Sequence, residues 1–421
     1  MPGRHTAREM ANALLRITDR AEITGRVRCV TTDGASNMSG MMVDYQYLLR
    51  DRNIHFDALD SHVVCFPHTL HLAVTAMLDA VTSSTARENV TAPFTSPVAE
   101  PFDPDMQSLV EALRRDPVAM ARDATNNIRM SQICRNEFLS LIEMGNQKKR
   151  WTQVDDNGVE QPVILNVVIP YRDSSNRWGS GYLSNTRFTY LRQPLTYYME
   201  KRPEVFKNRL TKYEWTVLED IRDILEGPFI LQEQMCIERT PMLAGSLAAY
   251  ESVITALQRS HDKPKYFYLQ EMLSAGIEGM QANYDDRRYS RLLILAILVH
   301  PALRLKWFAS RWTPEQLVYV KRVALEELSK YRSSTTRAPS SPGCRNRAAN
   351  TNNSSKSKFR LYDNLFGINS GDSYEPVLTT ETEFEDYCHA ANWPDIETVD
   401  IVEWWDVSPL VTFYVQYLKF S

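Results

Sequence analysis

No uninterrupted apolar run in the 421-residue chain approaches the roughly 18 residues that a bilayer-crossing helix needs. The opening MPGRHTAREM has no apolar core of the kind a secretory signal carries. Cysteine is sparse, and Cys29, Cys65, Cys134, Cys236, Cys344 and Cys388 follow no framework spacing. That excludes a small disulfide-stapled fold and reads as reduced thiols in a cytosolic or nuclear setting. Cationic excess is missing too. Forty-eight Lys and Arg against 52 Asp and Glu give a net charge of −4. A uniformly basic nucleic-acid coat is excluded, so any such binding must come from local patches.

What is present is ordinary for a globular protein: 43% hydrophobic and 24% charged residues, with length for two or three domains. The organising stretch runs from Arg28 to Leu72. Val27 to Thr32 is short, apolar and β-branched and predicts a buried strand. Asp33-Gly34 then turns the chain into a helix from about Met38 to Arg50. Asp33 thus sits at the carboxyl end of a strand. It either closes that turn or belongs to a site, since sites in open α/β sheets gather there. His62 to Phe66 predicts a second strand and Thr69 to Val81 a helix. Cys65, His68 and His71 form C-x2-H-x2-H, but no second Cys/His pair lies nearby at zinc spacing, so no zinc is expected. Cys65 and His68 read instead as structural residues, or as partners that orient a carboxylate.

A helix precedes this piece, from about Thr6 to Asp19. Val81 to Asp105 is rich in Ser, Thr and Pro and reads as a linker. Helices follow from Met106, with a break near Pro117. Lys148-Lys149-Arg150-Trp151 is a basic–aromatic patch, open to a solvated-loop reading or to DNA backbone contact. Val163 to Ile169 reads as a short strand or extended lead-in. Arg177-Trp178 opens another helix and reads as core-edge packing or as a DNA-proximal pair. Glu204 to Phe308 is nearly all helix, with Leu292 to Leu303 continuous. Ser333 to Lys358 holds five Lys or Arg and no acid and reads as a basic disordered linker. From Leu361 onward the sign flips, to twelve Asp or Glu against one Lys. Phe384, Tyr387 and Cys388 fall on one inward helical face.

In order and spacing these blocks resemble the hAT superfamily of DNA transposases. The matching residues are Thr32, Asp33 and Ala35-Ser36-Asn37-Met38, then Cys65, His68, Thr69, Leu70 and Leu72. Arg177-Trp178, Glu381 to Tyr387, and Asp400 to Trp405 follow. Gly34 and His71 depart from the family pattern, and so does His300.

The resemblance implies an α/β plus all-α chain. A partial RNase H-like domain (1–81), a linker (82–105) and a large α-helical insertion (106–332) come first. A basic linker (333–358) then leads to a returning RNase H-like helix and the start of a C-terminal dimerisation region (359–421). It implies two-metal phosphoryl transfer on DNA of the DDE type, with Asp33 and Glu383 as catalytic and metal-binding carboxylates for Mg²⁺ or Mn²⁺. Arg177, Trp178, Lys148, Lys149 and Arg150 are the expected DNA contacts. Transposon-end DNA and a second copy of the chain are the expected partners, and the nucleus the expected location. The strands and first Asp that precede the opening helix in the family have no counterpart here. The expectation is therefore a transposase-derived chain without efficient strand transfer. A non-catalytic DNA-binding or dimerising protein, or a helical scaffold, are the alternatives.

Overall fold

The computed structural model describes residues 6–83, 104–155, 157–174, 178–236, 242–335, 380–389 and Trp404. The side chains of 331–335 and of Glu383 lie outside the described set. So do most of the predicted linkers (84–103 and 336–358), Arg177, and the Asp400 to Trp405 block apart from Trp404. The chain divides into two compact units, Met1–Leu293 and Ile294–Ser421. The described residues are mostly helical, with four short strands.

In the first unit, α1 (Ala7–Arg20) starts on a capping box. Thr6 Oγ1 accepts from the Glu9 amide at 3.3 Å, and Glu9 Oε2 accepts from the Thr6 amide at 3.1 Å. Ala11 and Leu15 of this helix pack on Met42, Tyr45 and Leu49 of α2 (Ser36–Arg50). β1 (Val30–Thr32) pairs in parallel with β2 (His62–Val64), Val30 opposite His62, and α2 makes the crossover between them. Both strands are shorter than their apolar runs. A 3-10 turn at Thr24–Arg26 delays the first. Pro67, suited to a first helical turn, pulls Phe66 into α3 (Phe66–Thr82) and ends the second. This βαβ unit is the α/β part of the fold. No larger sheet joins it among the described residues, so the RNase H-like assignment rests on resemblance alone.

α3 then packs on α11 (Gln270–Arg287), with Ala73 and Met77 against Gly279 and Gly276. A Cβ at Gly276 would lie 2.5 Å from Met77 Sδ, so the missing side chain sets how closely the helices approach. Tyr250 of α10 (Ser246–His261) stands edge-on to Phe66 and donates to Thr69 Oγ1 at 3.1 Å. The small α/β piece is thus bound to the helices around it.

Those helices include α4 (Pro104–Arg114) and α5 (Pro117–Met130), separated at the left-handed Asp116 (φ 56°), whose Oδ1 accepts from the Ala119 amide at 3.0 Å and caps α5. Next come α6 (Gln132–Gln147), α7 (Trp178–Tyr190), α8 (Arg192–Lys201) and α9 (Lys212–Met235). Phe138, Trp151, Phe188, Tyr198 and Trp215 are the large members of their shared core. Val163 to Ile169 forms no strand of a ladder. The strands of this region are instead β3 (Thr152–Val154) and β4 (Glu160–Pro162), antiparallel around Asn157-Gly158. Gly158 has φ 78°, and Asp155 Oδ1 accepts from the amides of Asn157 and Val159, both at 2.9 Å.

The unit boundary falls inside α12 (Arg291–Val299). The helix read through Leu303 stops at Val299, because Pro301 disfavours helical backbone at His300 and supplies no N–H. In the second unit, α13 (Arg304–Ala309) and α14 (Pro314–Thr335) receive α15 (Thr380–His389). Phe384, Tyr387 and Cys388 are buried on one face of α15, as their spacing predicts. The Tyr387 hydroxyl donates to the Leu298 carbonyl at 2.9 Å.

Candidate nucleic-acid interface

The parallel pair β1–β2 joins the two sequence blocks that open the chain. The Cys65 amide donates to the Thr32 carbonyl at 2.8 Å. A Cβ at Gly34 would lie 3.5 Å from His68 Cδ2, so the His68 imidazole stands beside the Asp33-Gly34 turn. Asp33 itself is exposed, and its Oδ1 accepts from the Ala35 amide at 3.3 Å. Cys65 and His68 are half-buried. Among the described residues no group of three His, Cys, Asp or Glu side chains is placed to hold a metal ion. Two divalent ions need several carboxylate oxygens. Asp33 offers one carboxylate, and Glu383 belongs to α15 of the other unit.

His62 lies under this turn, its Nε2 2.7 Å from the Thr32 hydroxyl, which also donates to the Asp33 carbonyl at 2.8 Å. Burial, with help from Arg287, holds its pKa below the ordinary 6.5. The unfolded chain therefore takes up this proton first. The contribution is fully present above about 6.5 and is lost as pH falls toward the lower folded value. Urea midpoints should accordingly drop between about pH 7.5 and about pH 5, and more shallowly in His62→Gln. Equal slopes in the two proteins would show that His62 is not involved.

Trp178 begins α7 and is buried. Its Nε1 donates to Gln232 Oε1 at 2.8 Å, and its ring meets Phe229 edge-on at 6.1 Å. Its aromatic surface is thus occupied by packing within the first unit.

The basic patch has a different setting. α6 ends in a reversal in which Lys149 is left-handed (φ 49°), and the Arg150 amide donates back to the Gly145 carbonyl at 2.9 Å. Trp151 then dives under the helix. It is 2% exposed, and its Nε1 donates to the Ile142 carbonyl at 3.2 Å. With Trp151 as anchor, Lys148, Lys149 and Arg150 all stay exposed on the turn.

Facing that turn is α8. The Arg150 guanidinium lies 4.5 Å from the centre of the Tyr197 ring, and Lys201 Nζ lies 4.8 Å from it. Hydrogen bonds from Lys201, then from Arg150, hold the Tyr197 hydroxyl below the ordinary tyrosine range. Deeper in, the Tyr198 hydroxyl donates to Glu137 Oε2 at 2.9 Å, and burial raises its pKa. Arg202 pairs with Glu137 and Glu204. All of these but Glu204 line an open groove of about 640 Å³.

Tyr197 and Lys201 are absent from the residues that sequence reading singled out. A Tyr and a Lys one helical turn apart are unremarkable by themselves, and no local signal ties them to Arg150.

No family model matches the chain. Over 349 residues, 81% of the chain, it is 23% identical to a protein named "Putative transcriptional regulator tpeD" from the fungus Talaromyces stipitatus. The chain spans 36% of that relative's length. No described helix is long and apolar enough to cross a membrane.

Proposed function

We propose that this chain is a nucleic-acid-binding protein derived from a hAT-type transposase, acting by holding DNA rather than by cutting it. The ancestral chemistry would be two-metal cleavage and strand transfer. The observation that carries the reading is the convergence of Arg150 and Lys201 on Tyr197, with Lys148 lining the same groove, on a chain whose net charge is −4. Such local cationic clusters are what phosphate-backbone binding requires. The ordered motif blocks and the name of the fungal relative support the same class. Dimerisation through the C-terminal region and action in the nucleus belong to this proposal.

Binding of a labelled DNA duplex, followed by fluorescence anisotropy over a salt series, tests it. Affinity should fall steeply as salt rises. Arg150→Ala combined with Lys201→Ala should weaken binding about tenfold and reduce the slope of log K against log salt by about one to two. Lys149→Gly is a useful companion, because glycine accepts the left-handed backbone and only the charge is lost. Binding that ignores salt, or variants equal to the parent, would overturn the proposal.

A further inference from the structure

The groove between α6 and α8 has more than a cationic rim. Met144 is 51% exposed and Leu141 is partly buried, and both line it, as do Tyr197 and Tyr198. A duplex backbone has no use for an apolar lining, because paired bases are stacked inside the helix and present only phosphate and sugar to a surface. An unpaired nucleotide has both a flat apolar face and a phosphate. The groove volume of about 640 Å³ falls within the range of pockets that enclose one small ligand.

The polar groups are placed to match. The heads of Arg150 and Lys201 both lie at the Tyr197 ring, 4.5 and 4.8 Å from its centre, so the two cations converge at the rim. A phosphate oxygen arriving there meets two cations. Glu137, the carboxylate lining the groove, would repel it, but its charge is answered by Arg202 and by the Tyr198 hydroxyl.

We propose that this groove seats one unpaired nucleotide, with its base on Met144 and Leu141 and its phosphate at Arg150, Tyr197 and Lys201. The consequence is a preference for single-stranded over duplex nucleic acid. This rests on the nucleic-acid-binding reading above and narrows it to a substrate class.

The test uses the full chain and three labelled probes of equal length: oligodeoxythymidylate, oligouridylate and a DNA duplex. At least one single strand should bind about tenfold tighter than the duplex, as expected where a base gains an apolar platform. The stronger of the two tells whether DNA or RNA is taken. Met144→Ser, a neutral change at an exposed helical position, should cut the single-strand preference about fivefold and leave the salt slope unchanged. Lys201→Ala should instead lower the slope. Equal binding of single strand and duplex, or a preference untouched by Met144→Ser, overturns the nucleotide seat alone. If no probe shows salt-dependent binding, the nucleic-acid reading itself fails, and the seat with it.

Discussion

Gly145→Ala is expected to destabilise the first unit by about 2 kcal/mol, although alanine is the better helix former. Gly145 lies near the end of α6, where intrinsic preference alone would favour the substitution by about 1 kcal/mol. The Trp151 ring reverses that sign. A Cβ at this position would lie 2.1 Å from Trp151 Cζ2, 2.2 Å from Cε2 and 2.5 Å from Nε1. The indole has little room to yield. Its N–H is bound to the Ile142 carbonyl, and it is packed in the core with Phe138, Ile142 and Leu165. Either the ring leaves that site, giving up its hydrogen bond and burial, or α6 shifts. Both routes also release the turn that presents Lys148, Lys149 and Arg150. Urea unfolding should show a lowered midpoint at an unchanged m-value, accompanied by weaker nucleic-acid binding. An alanine variant as stable as the parent would mean that the ring can move aside freely.

In the second unit the largest loss is expected from Arg304→Ala, at about 3 kcal/mol. Arg304 is fully buried at the start of α13. Its guanidinium donates to the Tyr387 carbonyl at 2.9 Å and lies 4.7 Å from the Tyr387 ring centre and 5.3 Å from that of Trp404. It thereby fastens α15, the helix that bears Glu383. A buried, charge-assisted hydrogen bond and a desolvated cation over aromatic rings are each worth on the order of 2 kcal/mol, and truncation also leaves a cavity. Arg304→Lys keeps the charge but not the planar stacking and should fall between parent and alanine. Arg304 also has a left-handed backbone (φ 48°), so Arg304→Gly separates the two effects. Glycine should be less damaging than alanine and still well below the parent. Hydrogen exchange at the Phe384, Tyr387 and Cys388 amides reads the outcome. Unchanged protection in Arg304→Ala would show that the Tyr387 packing holds α15 without it.

Much of the candidate interface could be read along the chain, and its limits have physical causes. The basic patch at Lys148 to Trp151 is visible as a run, but its sequence does not divide it into three exposed cations and one buried ring. That division comes from the reversal after α6 and the space left by Gly145. Arg177-Trp178 reads equally as packing or as a DNA contact, and only the neighbours Phe229 and Gln232 show where the indole lies. The hairpin around Asn157-Gly158 is not legible along the chain, because the flanking Thr152–Val154 and Glu160–Pro162 carry too little apolar alternation to be read as strands. Arg304 offers no cue at all. A charged residue after a Pro-broken apolar helix reads as surface until α15 covers it.

The sequence by itself determined the features that depend on residues a few positions apart. These are the helix start near Thr6, the break near Pro117, the β1–turn–α2 order around Asp33, and the inward face of Phe384, Tyr387 and Cys388. Each follows from backbone sterics, a local hydrogen bond or helical periodicity. Tertiary structure alone decided what meets across long separations: His68 against Gly34, α3 against α11, and Arg150 against Tyr197 and Lys201. The last of these is set by how buried rings such as Trp151, Phe138 and Tyr198 fill a common core. The charges that share the groove were brought together by the packing beneath them.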